Sequence, residues 1–301
     1  MDGLNQVRCC LNNSHEFERH ITTTTKPRFR IVSISSPIAL RPLAITEFTF
    51  QILLDVYKID PAFLDPVHLF GGRPTSADAG HGVMHIRPRL DGCIDTHYLL
   101  TFPEYEPNKP NFPGWVPRPA AVFQRLDPTN SENLWIVVHI HSNSLLQQSV
   151  EQFVATQAVH YDCPTDWCLL RRMILAAYVR SWRPYISYLG EEIDTTRRLV
   201  NMLPLYDSYD EEIQHRSVID PQPVGNKVSS LAVRLTVTLQ TVQQLSHVYR
   251  ILHGSESDAA LALDYHTFAD ELSNYEADLT ASLHGARILE NELQAVANSH
   301  A

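Results

Sequence analysis

The chain ends on DYHTFADELSNYEADLTASLHGARILENELQAVANSHA, and that ending restricts the fold more than any other segment. Tyr265, Phe268, Leu272, Tyr275, Leu279, Ser282, Ala286, Leu289, Leu293 and Val296 follow one another at alternating spacings of three and four. Side chains at that spacing form the a/d seam of a long helix. Gly285 is its one glycine, and no proline interrupts it. From Asp258 to Val296 the helix runs roughly 58 Å at 1.5 Å per residue, longer than a compact domain requires. Such a seam has to be covered, by this chain or by another.

A second seam precedes it at Val228, Leu231, Leu235, Thr238, Val242, Leu245, Tyr249 and Leu252. Gly254 ends that helix and Ser255 or Ser257 caps the next, so the two form an antiparallel hairpin. Upstream, TDWCLLRRMILAAYVRSWRPYISYLGEEIDTTRRLVNML predicts one long helix opened by Thr165 or Asp166, with Pro184 kinking it near Ser181. SLLQQSVEQFVATQAV predicts a shorter helix before it.

Residues 61–145 read differently. Short β-like runs, GVMHIRP, DTHYLLTFP, AAVFQRLD and NLWIVVHIHS, are punctuated by Pro and Gly, as in a sheet. PEYEPNKPNFPGWVPRP holds six prolines in seventeen residues and predicts an ordered surface loop. TEFTFQILLDVYKI predicts a short helix that ends before Pro61. The fold class is therefore α+β, a sheet-containing N-terminal α/β domain followed by a long-helix C-terminal region. The divisions are an irregular leader over 1–45 with one short strand near Arg30–Ile34, a sheet domain over 46–155, and a helical domain over 156–301. The stalk-like terminal helix occupies 258–297.

A net charge of −10 with only four lysines (Lys26, Lys58, Lys109 and Lys227) argues against nucleic acid as a partner. No window of about 18 apolar residues occurs, so no membrane-spanning helix is predicted. The N-terminus lacks the apolar core of a secretory signal. Five cysteines without a repeating spacing read as reduced thiols, and the expected location is the cytoplasm.

Three stretches carry candidate chemistry. In WIVVHIHSN, His139 and His141 alternate on a strand and could present two imidazoles to a metal. The plainer reading makes them the polar face of a half-buried strand. LPLYDSYDEEIQHR gathers Asp207, Asp210 and Glu211 with Glu212, a donor set that suits weak binding of a hard cation such as Mg²⁺. The same residues also read as a capping box, Ser208 with Glu211, at the start of a short helix. FGGRPTSADAGHG lacks the Gly-Lys-Ser/Thr of a phosphate loop, and no catalytic signature is present, so an enzyme is not expected.

WVPRPAAVFQRLD, with Trp115, Arg118, Val122, Phe123 and Asp127, resembles a segment of fungal CorA-like divalent-cation transporters. HYLLTFPEYEPNKPNFPGW upstream resembles that family's strand and following loop. RRMILAAYVRSWRPYISYLGEEI, with Trp182, Arg183, Tyr185 and Ile186, resembles its long helix. The resemblance spans roughly residues 50 to 296. It implies a cytoplasmic α/β domain, long helices, a stalk entering the membrane, five-fold assembly around a Mg²⁺ pore, and regulation by bound divalent ions. The family's Gly-Met-Asn pore motif and both membrane spans are absent here; the one Asn-Met, Asn201-Met202, follows Val200. No transport residue carries over.

The expectation is a non-enzymatic CorA-like domain with a regulatory or assembly role and weak Mg²⁺ binding, with no firmly implied cofactor. Its partner is a second copy or a stalk helix, engaged through Tyr265, Phe268, Leu272, Tyr275, Leu279, Leu289 and Leu293. Met1 and the polar NSHA ending lean towards a complete chain. One alternative is a helical scaffold or protein-interaction module indifferent to metal. Another, of a different class, is an enzyme using His139 and His141. A monomer in which the two seams cover each other is also compatible with the pattern.

Overall fold

The computed structural model describes residues 11, 13–23, 29–37, 41–70, 82, 84–106, 114–127, 132–157, 169–206, 222–253 and 259–300. Its N-terminal part holds α1 (Ser14–Thr23), β1 (Phe29–Ser36), α2 (Glu47–Tyr57), a 3₁₀ turn (Pro61–Phe63) and α3 (Leu64–Val67). Four further strands follow, β2 (His85–Pro88), β3 (Ile94–Glu106), β4 (Gly114–Asp127) and β5 (Glu132–Ile140). The helical half comprises α4 (Leu145–Gln157), α5 (Leu169–Val179), α6 (Trp182–Tyr206), α7 (Gln222–His253) and α8 (Ala259–His300). The mixed α+β class read from the pattern is the class observed.

The sheet runs β1-β5-β4-β3-β2. β1 lies parallel to β5 and the other pairs are antiparallel. Register assigns each residue a side. Tyr98, Val122 and Val137 lie level on one face, and Leu99, Ala121 and Val138 on the other. The first face, with Leu100, Phe102 and Trp135, joins one core with residues of α4 to α8. The second, with Phe123 and Ile136, packs on Phe17 and Ile21 of α1, Phe50, Leu53 and Leu54 of α2, and Phe63. β5 is apolar on both faces because both are covered. α2 starts where Thr46 accepts the Thr49 amide at 3.1 Å, and ends on Lys58 in the left-handed conformation (φ 49°).

Four sequence expectations change. The leader holds the strand expected near Arg30–Ile34, β1, but is not otherwise irregular, because α1 also falls within residues 1–45; the two supply core side chains and an edge strand. The proline-rich stretch is not all loop, because Pro103–Glu106 ends β3 and Gly114–Pro119 begins β4. Pro103 faces Pro117 where β3 has run past β2, whose pairing stops at His97, and β4 past β5, whose pairing stops at Ala120. Missing N–H groups are tolerated there because no third strand needs them. The expected kink is a full break, with Arg180 and Ser181 as a turn and the Ser181 Oγ donating to the Tyr178 carbonyl at 2.8 Å. Pro184 then sits in the first turn of α6, where its missing donor costs nothing. Finally, the sheet and helical halves are not separate in packing, since one core runs through both.

α7 and α8 are antiparallel. The Tyr249 ring meets Phe268 edge-on at 4.8 Å, and Ser246 donates to Glu276 at 2.9 Å. α6 runs parallel to α8, with Ile186 beside Gly285, Leu289 beside Gly190, and Arg197 paired to Glu292 at 3.4 Å. No helix among the described residues is long and apolar enough to cross a membrane.

Candidate functional site

Asp207, Asp210 and Glu211 lie outside the described residues. Among the described residues, no three His, Cys, Asp or Glu side chains are placed to hold a metal ion. His139 and His141 do not form a pair on one open face. His139 is 1% exposed and points at the helical core side of the sheet. The Ser33 hydroxyl donates to Gln147 Oε1 at 2.6 Å, so it accepts the His139 Nε2 proton at 2.8 Å. Ser144 Oγ lies 2.9 Å from Nδ1 and accepts the Gln147 amide at 3.1 Å, leaving its proton for Nδ1. Both nitrogens are thereby used in joining β1, β5 and α4, and burial lowers the pKa of the ring. His141 is past the strand end in a left-handed conformation, φ 64°.

The described chemistry gathers instead on the two-stranded end of β3 and β4. Glu104 and Glu106, two apart on β3, share the face of Arg118, which stands opposite Phe102. Arg118 is 5% exposed. Its Nη2 pairs with the Glu106 carboxylate and its Nε lies 3.7 Å from Glu104 Oε2, without a hydrogen bond at Nε. Glu104 Oε1 accepts the Leu145 amide at the start of α4 at 3.4 Å, and His141 Nε2 stands 3.8 Å from Glu106. Burial lowers the Arg118 pKa while the Glu104 charge opposes that shift. Burial, then the Glu104 charge, raises the Tyr178 hydroxyl well above its ordinary range.

Aromatic rings continue from this cluster. Tyr105 meets Trp115 at 5.5 Å, Trp115 meets Tyr185 at 6.0 Å, and Tyr185 stacks on Tyr188 at 6.5 Å. Trp182 lies 6.4 Å from Tyr185. Gly114 lies beside the Tyr188 hydroxyl, which is 3.8 Å from where a Cβ would stand. That hydroxyl donates to Glu192, whose two oxygens also receive Lys227 Nζ at 2.8 and 2.9 Å. Lys227 stands 5.4 Å over the Tyr188 ring. The two motifs singled out in sequence, Trp115 with Arg118 and Trp182 with Tyr185, therefore touch in space. Val122 and Phe123 go to opposite cores. Sequence reading missed Glu104, Glu106, Tyr188, Glu192 and Lys227. The alternate spacing of the first two and the i, i+4 spacing of Tyr188 and Glu192 were the available signals.

The terminal seam is covered by the chain's own helices. Phe268, Leu272, Tyr275, Leu279 and Leu289 are buried in the main core, and Leu293 packs against it. The Tyr265 side chain lies outside the described residues.

Residues 2–92 match the family model of CorA-like transporters. That segment holds α1, β1, α2 and β2, so the match falls wholly upstream of the three motifs that carry the sequence resemblance. No curated protein matches. Among solved structures, the chain is similar to the soluble domain of CorA from Methanocaldococcus jannaschii. The identity is 11% and the TM-score 0.43, over 90% of this chain and 87% of that one.

Proposed function

We propose that this chain is a non-enzymatic CorA-like domain that regulates or assembles with a divalent-cation transport system at the cytoplasmic side of a membrane. The observation that supports this reading is the match of residues 2–92 to the CorA-like transporter model. Mg²⁺ is the proposed ion, bound weakly at Asp207, Asp210 and Glu211, whose carboxylates suit a hard cation that keeps several waters. The proposed partner is a second copy or a stalk helix. With the seam residues already packed inside the chain, such a partner would engage the outward residues of α8.

The test is molar mass by light scattering, with and without millimolar Mg²⁺, alongside calorimetric titration of Mg²⁺. A mass above the 34.2 kDa of one chain that grows with Mg²⁺ supports the reading. Loss of that growth on changing Asp207→Asn, Asp210→Asn and Glu211→Gln together assigns the ion site. One-chain mass in both conditions and no heat of binding would remove ion-linked assembly and favour a metal-indifferent scaffold.

A further inference from the structure

The rings at the end of β3 and β4 have a chemistry that hard-cation binding does not use. Tyr105, Trp115, Tyr185 and Tyr188 form a chain of touching rings drawn from two strands and α6. Tyr185 is buried, whereas Tyr105 is 51% exposed. Glu192 accepts the Tyr188 hydroxyl. One ammonium is already seated on this surface: Lys227 Nζ lies over the Tyr188 ring and between both oxygens of Glu192. The fold thus displays within one chain how the surface holds an alkylammonium, by ring face and carboxylate together.

We propose that the surface of Tyr105, Trp115 and Tyr188, with Glu192, binds an alkylammonium from outside the chain. Charge favours it. Glu192 stands at the rings, within a chain of net charge −10 that concentrates cations around it. Chemistry selects the kind of cation. Ring faces attract weakly hydrated organic cations, whereas Mg²⁺ keeps its water and seeks oxygen ligands. Lys227 is the internal competitor, and its own side chain is 37% exposed. A free polyamine and a lysine side chain on a partner share this chemistry. The site does not depend on the divalent-ion reading above.

The full chain is titrated with tetramethylammonium, spermidine and N-acetyl-lysine amide, read by calorimetry and tryptophan fluorescence, with MgCl₂ at matched ionic strength as control. The expected result is saturable binding of the organic cations that MgCl₂ neither reproduces nor displaces. Tyr105→Leu and Trp115→Leu should each weaken it about fivefold, the scale of one exposed cation–ring contact. Lys227→Met should tighten spermidine binding, and adding Glu192→Gln should erase that gain. Trp115 packs on Tyr185, so its variant can fail to fold; Tyr105 is half exposed and its variant decides. Tighter binding of the lysine amide than of spermidine identifies a partner's side chain as the source, and the reverse identifies a polyamine. No saturable response, an unchanged response in Tyr105→Leu, or an equal response to MgCl₂ overturns the proposal.

Discussion

His97 makes the stability of this fold depend on pH. The ring is 6% exposed, stacked at 4.9 Å on its cross-strand partner His85 and edge-on to Phe63 at 6.0 Å. Burial, then the charge of His85, lowers its pKa to about 4, against the opposing pull of Asp65 and Asp95. Between the unfolded value near 6.5 and the folded value, the unfolded chain binds the extra proton. Stability is therefore present above pH 6.5 and lost as pH falls towards 4, by at most roughly 3 kcal/mol. Urea midpoints at pH 7, 5.5 and 4.5 should fall in sequence and flatten in His97→Phe; an unchanged slope would show that His97 is not the group responsible. Arg118 gives a second prediction at this scale. Arg118→Met leaves Glu104 and Glu106 facing each other near the core and should cost about 3 kcal/mol. Adding Glu104→Gln and Glu106→Gln should restore most of it, and a strictly additive triple variant would show that the three do not act together.

The long helices carry glycines at their contacts. A Cβ on Gly285 would meet Ile186 Cγ2 at 3.4 Å, and one on Gly190 would meet Leu289 Cδ2 at 3.6 Å. Those are ordinary contacts with flexible side-chain ends, so alanine fits and helix propensity decides. Gly190→Ala and Gly285→Ala should each stabilise by roughly 0.5–1 kcal/mol. A loss in either would mean that α6 and α8 approach more tightly than these distances allow. Gly82 is the opposite case. Its φ of 111° excludes most side chains and its Cβ would fall 2.4 Å from Leu99 Cβ, so Gly82→Ala should destabilise strongly. Periodicity announced these helices because the a/d spacing is local. It could not announce that Pro103 and Pro117 belong to strands, because a strand tolerates proline only where its neighbours have stopped.

At the scale of the whole molecule, the seam of α8 is spent on the chain's own core. Leu272 is fully buried in the core that joins the sheet to α4 to α8. Leu272→Ala should therefore cost about 2–5 kcal/mol while leaving the molar mass unchanged. A drop in mass without a loss of stability would place Leu272 at an interface between chains instead. The sheet divides the molecule into two cores, one built with α1 to α3 and one with α4 to α8. The segment matching the CorA-like model supplies much of the first core, and the rings with their carboxylates lie at the edge of the second.

Sequence by itself determined the kinds of element and their order: alternation for the strands, heptad spacing for α7 and α8, and Pro61 as the limit of α2. It also marked Trp115, Arg118, Trp182 and Tyr185 as residues of note. Tertiary structure decided what those elements meet. A heptad seam looks the same whether its cover is another helix of the chain or a second molecule, and an H-x-H pair looks the same whether a metal or two serines take its nitrogens. Spacing records which side chains share a face. The group opposite that face comes from residues far away in the chain, as Ser33 comes to His139, and only packing reveals it.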